Sequence, residues 1–293
     1  MSLDVPLDGV VIMEAPAKLN LYLHVTGRRD DGYHELDSLV AFASVGDRLR
    51  VEPAPELSLK IEGFFAEELD ADTGNLVWRA AEAVRETAEI TGGARITLTK
   101  NLPVAAGIGG GSADAAATVR ALVQLWDMHP TSHDLSGLAL SLGADVPVCL
   151  FGRSAYMRGI GEWVEPGPAL PLVFLVLVNP GIPVSTPAVF MARQPPYSQK
   201  SPNLNETDDV TDFVDQLARR GNDLEAPAMG AAPVIGEVID ALEVAEDCLL
   251  ARMSGSGATC FGLFKSREQA DRVARDIRAK SPAWWVESAD LIG

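Results

Sequence analysis

Basic residues are scarce in this 293-residue chain: 24 Lys and Arg stand against 41 Asp and Glu, for a net charge of −17. Such a surplus of negative charge excludes nonspecific binding to nucleic acid or to an anionic membrane. Any anionic ligand must find local compensation. Cysteine is scarcer still, and Cys149, Cys248 and Cys260 are scattered, which excludes a disulfide framework or a zinc cluster and fits a reducing cytoplasm. The longest apolar run, LPLVFLVLV over 170–178, is far short of the roughly twenty residues of a membrane-spanning helix and reads as a buried strand. No cluster of His, Asp and Glu has metal-ligand spacing, so no protein ligand for a metal is expected. The opening MSLDVPLDGV has neither a basic segment nor an apolar signal core, which predicts no secretion and a disordered lead.

What is present is glycine in one place. Gly107, Gly109, Gly110 and Gly111 stand in PVAAGIGGGSADAA, from Pro103 to Ala116. Ahead of them, ARITLTK alternates as a half-buried strand does, and behind them Ser112 is placed to cap an alanine-rich helix running to about Trp126. Four glycines in five positions carry an entropy cost that a plain turn does not require, whereas backbone close to a phosphate does. No Lys-Ser or Lys-Thr pair follows, which excludes a Walker loop, and the third glycine of the dinucleotide fingerprint is missing. The phosphate-binding design is a different one.

Elsewhere, IMEAPAKLNLYLHV, the turn formers GRRDDGY and HELDSLVAFASV predict strand, loop and strand. Apolar spacing predicts helices over 73–90, 132–142, 210–219, 232–242 and 266–280. ADVPVCLFGRSAYMRGIGEWVEP reads as a strand pair around Gly152 and Arg153, LLARMSGSGATCFGLF as a strand broken by glycine, and 284–286 as the start of a last strand. The polar, proline-bearing stretch Gln194 to Asp209 is expected to be a mobile loop. Pro166, Pro168 and Pro171 mark a junction, so the chain is divided into residues 1–168 and 169–293. Strands and helices intermixed with hairpins favour an α+β fold.

Three separated segments, PAKLNLYLH, the glycine stretch and MSGSGATCFG, resemble the three motifs of the GHMP kinases. Pro16 to Asn20, Asp31-Gly32-Tyr33-His34, Gly109 to Gly111, Gly143 to Pro147 and Asn222 to Glu225 are further marks in matching order, and the resemblance covers nearly the whole chain. It implies a two-domain fold, with an N-terminal ATP-binding domain of ribosomal-protein-S5-like type and a C-terminal ferredoxin-like α/β-plait domain. It also implies ATP-dependent phosphorylation of a small alcohol, with magnesium held mainly by the ATP phosphates. Its details resemble the branch that acts on a cytidine diphosphate derivative. Another member of the homoserine or mevalonate type, or a noncatalytic ligand-sensing relative, stays open.

By the same resemblance, Asp145 is the acceptor for the substrate hydroxyl and Lys18 is its cationic partner. ATP falls to Pro103, Val104, Ala105, Ala106, Gly107, Ile108, Gly109, Gly110, Gly111, Ser112 and Ala113. Many relatives carry a second serine where Ala113 stands, so Ser112 supplies the surviving hydroxyl. Tyr33 is expected to stack on the cytosine and His34 to hydrogen-bond its edge. Phe190 covers the other face, Thr186 lies near the substrate, and Asn20 orients it. Ser254-Gly255-Ser256-Gly257 either covers the phosphates or bends its strand. His129 and His133 are read as surface residues near a helix start.

Overall fold

The computed structural model describes residues 9–293, with the side chains of 132–134 outside the description. The expected lead and the surface reading of His133 therefore lie outside the described residues, while His129 is exposed. In chain order the elements are β1 (Val11–Arg28), β2 (His34–Ala54), β3 (Ser58–Glu62), α1 (Leu76–Thr87), β4 (Gly93–Thr99), α2 (Gly110–Leu125), α3 (Ser132–Leu142) and α4 (Val146–Phe151). There follow β5 (Ala155–Gly159), β6 (Trp163–Pro166), β7 (Phe174–Asn179), α5 (Thr186–Ala192), α6 (Val210–Ala218), α7 (Glu225–Ala231), α8 (Val234–Glu243), β8 (Leu250–Met253), β9 (Cys260–Phe264), α9 (Arg267–Lys280) and β10 (Trp285–Ile292). Two compact units result, and neither is one continuous stretch.

The first unit takes the chain up to Ala17, Gly46–Val104 and Gly110–Leu150. Its sheet sets the far half of β2 antiparallel to β4, from Arg48 opposite Thr99 to Ala54 opposite Gly93, with β3 parallel on the other side of β4. Val77, Ala80, Ala81 and Val84 form the buried stripe of α1, against which α2 packs. The alanines of α2 allow that close approach, and Ala113, Ala115, Ala116 and Ala117 are all buried. Asn75 caps α1 by accepting from the Val77 amide.

The second unit takes Lys18–Val45, Ala105–Gly109 and Phe151–Gly293. Its strands run in the order β10-β7-β9-β8 with every pairing antiparallel. With α8 before β8 and α9 before β10, this is the β-α-β-β-α-β plait that the resemblance implies. Val176, Val178, Ile235, Val238, Leu242, Phe264, Val273 and Ile277 fill its core. The near half of β2 pairs with β5, and β5 forms a hairpin with β6. Ser266 caps α9 through a full capping box with Gln269.

Several expectations change. VPVCLF is the short helix α4 and not a strand, because a short apolar run has no period that separates a buried helix from a buried strand. The apolar run over 170–178 becomes strand only at Phe174, and Leu172 is exposed. Helix α2 begins at Gly110, so Ser112 lies in its first turn and not at its cap. The Gln194 to Asp209 stretch is irregular as expected, yet it is pinned along its length. Ser198 N donates to Val25 O, Ser201 N to Asp37 Oδ2, and Leu204 N to the Tyr156 hydroxyl.

Candidate active site

Alternation along β1 puts Lys18, Asn20 and Tyr22 on one face and Ala17, Leu19 and Leu21 on the other. All six are buried, Lys18 at 2% exposure and Asn20 at 0%. A buried ammonium needs partners. Lys18 Nζ donates to Asn20 Oδ1 at 2.7 Å, Asn20 Nδ2 donates to Ser38 Oγ at 2.8 Å, and that hydroxyl donates to the Tyr22 carbonyl at 2.6 Å. The relay fixes the Asn20 amide in one orientation.

The same strand carries the start of the glycine stretch. Lys18 N donates to Ile108 O at 2.9 Å, and Asn20 N donates to Ser254 Oγ, which itself donates to Gly107 O at 3.1 Å. Thr259 N donates to Ala106 O at 3.0 Å. A Cβ on Gly107 would fall 2.6 Å from the carbonyl oxygens of Gly257 and Ser254, and one on Gly255 would fall 2.7 Å from Gly107 O. Ser254 to Gly257 therefore do more than bend a strand: they seat residues 105–109. Ala105, Gly107 and Gly109 have φ of +51°, +76° and +60°, and left-handed residues at alternating positions belong to the backbone pattern that gathers amides into an anion-binding nest.

The stretch then enters α2, whose first amides have no partner within the helix. Gly111 is exposed and Ser112 half-buried, while the Ala113 side chain is buried at 2% exposure. Behind this turn is a charge cluster that sequence reasoning missed. Lys100 Nζ lies 2.5 Å from Asp47 Oδ2 and 2.7 Å from Asp114 Oδ2, with all three side chains buried. Asp47 Oδ1 also accepts the amides of Asn101 and Leu102, at 2.6 and 2.8 Å. Burial, and secondarily repulsion from Asp47, push the Asp114 carboxyl up to about 7 against the attraction of Lys100. Burial opposes the Lys100 charge too, but the two carboxylates outweigh it and raise its pKa. The legible signal was a charge at two apolar positions, the end of a strand and the inside of an alanine helix.

On the second unit, the DDGY turn closes with Gly32 at φ +94° and Tyr33 N donating to Asp31 Oδ1. Tyr33 is left 61% exposed and His34 is buried at the start of β2. The His34 ring faces Phe190 of α5 at 5.3 Å and 31°, and Tyr197 meets it edge-on at 6.3 Å. Tyr197 was also missed, an aromatic in a stretch read as loop. Burial lowers the His34 pKa, helped by Arg28 and Arg193. At the start of α5, Thr186 Oγ1 lies 2.8 Å from Ser256 Oγ.

The structure thus brings together Lys18, Asn20 and Gly107, then His34 with Phe190, then Thr186 with Ser256. Asp145 belongs to the first unit, half-buried between α3 and α4, with its carbonyl accepting from Cys149 N at 3.2 Å. The Asn222 to Glu225 motif is a brace. Asn222 Nδ2 donates to Met253 O and Gly255 O, and Glu225 Oε2 accepts Met253 N. Among the described residues, no group of three or more His, Cys, Asp or Glu is placed to hold a metal ion.

Residues 75–153 match the GHMP kinases N terminal domain and residues 208–283 the GHMP kinases C terminal domain. A 4-diphosphocytidyl-2-C-methyl-D-erythritol kinase of Paramagnetospirillum magneticum is 52% identical over 280 residues, covering 96% of this chain and 98% of that one. The chain belongs to this kinase family, within the GHMP kinases. A family member of the same name from Cereibacter sphaeroides is 53% identical over 285 residues, covering 95% and 98%. A crystal structure of a 4-(cytidine 5'-diphospho)-2C-methyl-D-erythritol kinase matches with a TM-score of 0.79 at 39% identity, covering 97% of this chain and all of the other. The homoserine kinase of Cytophaga hutchinsonii shares the fold, with a TM-score of 0.73 at 19% identity over 99% of this chain and 96% of its own. Among the described residues of this GHMP kinase, no helix is long and apolar enough to cross a membrane.

Proposed function

We propose that this protein transfers the γ-phosphoryl group of ATP to the 2-hydroxyl of 4-diphosphocytidyl-2-C-methyl-D-erythritol, giving the 2-phosphate and ADP, in non-mevalonate isoprenoid precursor biosynthesis. The observation that carries the reading is the buried Lys18–Asn20–Ser38 relay on a strand that also holds the glycine stretch. A fixed cation and a fixed amide beside anion-binding backbone suit a reaction in which positioning and charge stabilisation do most of the work.

In this reading Asp145 accepts the proton of the attacking hydroxyl, Lys18 is the cation that keeps Asp145 ionised, and Asn20 orients the alcohol. Residues 103–113 hold the triphosphate through backbone amides and the Ser112 hydroxyl. Their fit to a polyanion is supported by the left-handed backbone at 105, 107 and 109 and by the space that only glycine leaves at 107. Magnesium, when bound, would be held mainly by the ATP phosphates and water and would supply neutralisation of phosphate charge. Tyr33, which is exposed, stacks on the cytosine, His34 hydrogen-bonds its edge, and Phe190, whose ring lies against His34, covers the other face. Residues 1–168 and 169–293 serve as the ATP-binding and C-terminal domains, and the two family matches fall on either side of that boundary. The location proposed is the cytoplasm, consistent with three cysteines that form no disulfide.

Asp145→Asn is expected to lower kcat by about 10²- to 10⁴-fold, the usual worth of a general base, while melting like the parent, with Lys18→Ala comparably inactive. Near-normal turnover in either removes that residue from the mechanism. A panel of alcohols with ATP tests the substrate, and preference for homoserine or mevalonate over the cytidylated alcohol refutes it.

A further inference from the structure

Two carboxylates, Asp47 and Asp114, share the single ammonium of Lys100 with all three buried, which leaves one negative charge uncompensated when both are ionised. Asp47 is fully engaged, with one oxygen on Lys100 and the other on two amides. Asp114 is not: its Oδ2 meets Lys100, while its Oδ1 is buried without a hydrogen-bond partner. An orphan carboxylate oxygen in such a place is where a proton is retained.

The cluster lies under the first turn of α2. Asp114 follows Gly110 by four positions, one turn or about 6 Å along the helix, on the same face. A Cβ on Gly110 would fall 3.1 Å from Lys100 Nζ and 3.7 Å from Asp47 Oδ2. The helices packed against α2 bury apolar side chains: Val77, Ala80, Ala81 and Val84 of α1, and Ala139 and Leu142 of α3. Arg120 of α2 itself is turned to the Cys149 and Leu150 carbonyls. Lys100 and Asp47 are the leading charges acting on Asp114.

We propose that Asp114 sets the affinity for ATP: protonated, it leaves the start of α2 electrically neutral beneath the phosphates, and ionised, it opposes their binding. This rests on the reading of the glycine stretch as the triphosphate seat. The dipole and free amides at a helix start attract anions, and a buried carboxylate one turn behind subtracts from that attraction. No residue here touches the reacting atoms; Asp114 acts through the field at α2.

The test is calorimetric titration of the full chain with ATP and magnesium between pH 5.5 and 8.5, for the parent and for Asp114→Asn, which keeps the shape and an acceptor for Lys100. ATP's own protonation is common to both, so the ratio of their dissociation constants isolates Asp114. The ratio is expected to rise about three- to tenfold, for a charge acting over roughly 10 Å at intermediate dielectric, with its midpoint at about 7. A ratio independent of pH overturns the proposal. Asp47→Asn, which leaves one carboxylate per ammonium, is expected to move the midpoint of the parent's binding curve to lower pH, and an unmoved midpoint also overturns it. Gly109→Val reports on the seat itself. Undiminished ATP binding there refutes the phosphate reading and takes this inference with it, an outcome distinct from a flat ratio.

Discussion

Lys18 and Asp114 show how much a single side chain depends on its partners. Lys18 is buried on its strand, and its bond to Asn20 orients an amide 2 positions away. His34 carries a testable pH dependence. Its pKa is depressed below the ordinary 6.5 by burial, then by Arg28 and Arg193, so the neutral ring, which suits the proposed hydrogen bond to cytosine, prevails at neutral pH. The acid limb of kcat/KM for the cytidylated substrate should therefore fall below 6.5 and be absent in His34→Gln, as a pH profile of both enzymes will show. Asp114 also bears on stability. Its folded value of about 7 lies above the ordinary 3.8, so the folded state holds the proton more tightly, and stability is lost as pH rises from about 4 through 7. Urea midpoints across that window should decline for the parent and much less for Asp114→Asn.

Among elements, the glycine stretch and the late SGSG segment form one object built from two distant pieces of chain. Gly107→Ala tests it: a left-handed Ala costs about 1–2 kcal/mol, and its Cβ would also strike two carbonyl oxygens at 2.6 Å. The expected loss is more than about 2 kcal/mol, measured by chemical denaturation, together with weakened ATP binding. Gly137→Ala is the counterpart, because that glycine lies exposed inside α3 with nothing within 4 Å of its added Cβ. It should stabilise by about 0.5–1 kcal/mol. The stripe of α1 and the apolar spacing of α9 were legible because they are local patterns. Helices α5 and α7 were not, since seven residues carry too little period to outvote proline and glycine in their sequences.

At the scale of the whole molecule, the charge of −17 predicts that the protein neither cosediments with anionic vesicles nor shifts duplex DNA at physiological salt. Retention by either would refute that reading. Each compact unit draws on separated stretches of chain, with β1 and β2 contributing residues to both. The sequence by itself determined the α+β class, the strand that carries Lys18 and Asn20, and the glycine stretch, because periodicity and the freedom of glycine are properties of neighbours. Tertiary structure alone decided that Asn20 meets Ser254, 234 positions away, and that Lys100 meets Asp47, 53 positions away. Buried polar groups must find partners wherever the packed chain supplies them, and that supply is not written in local order.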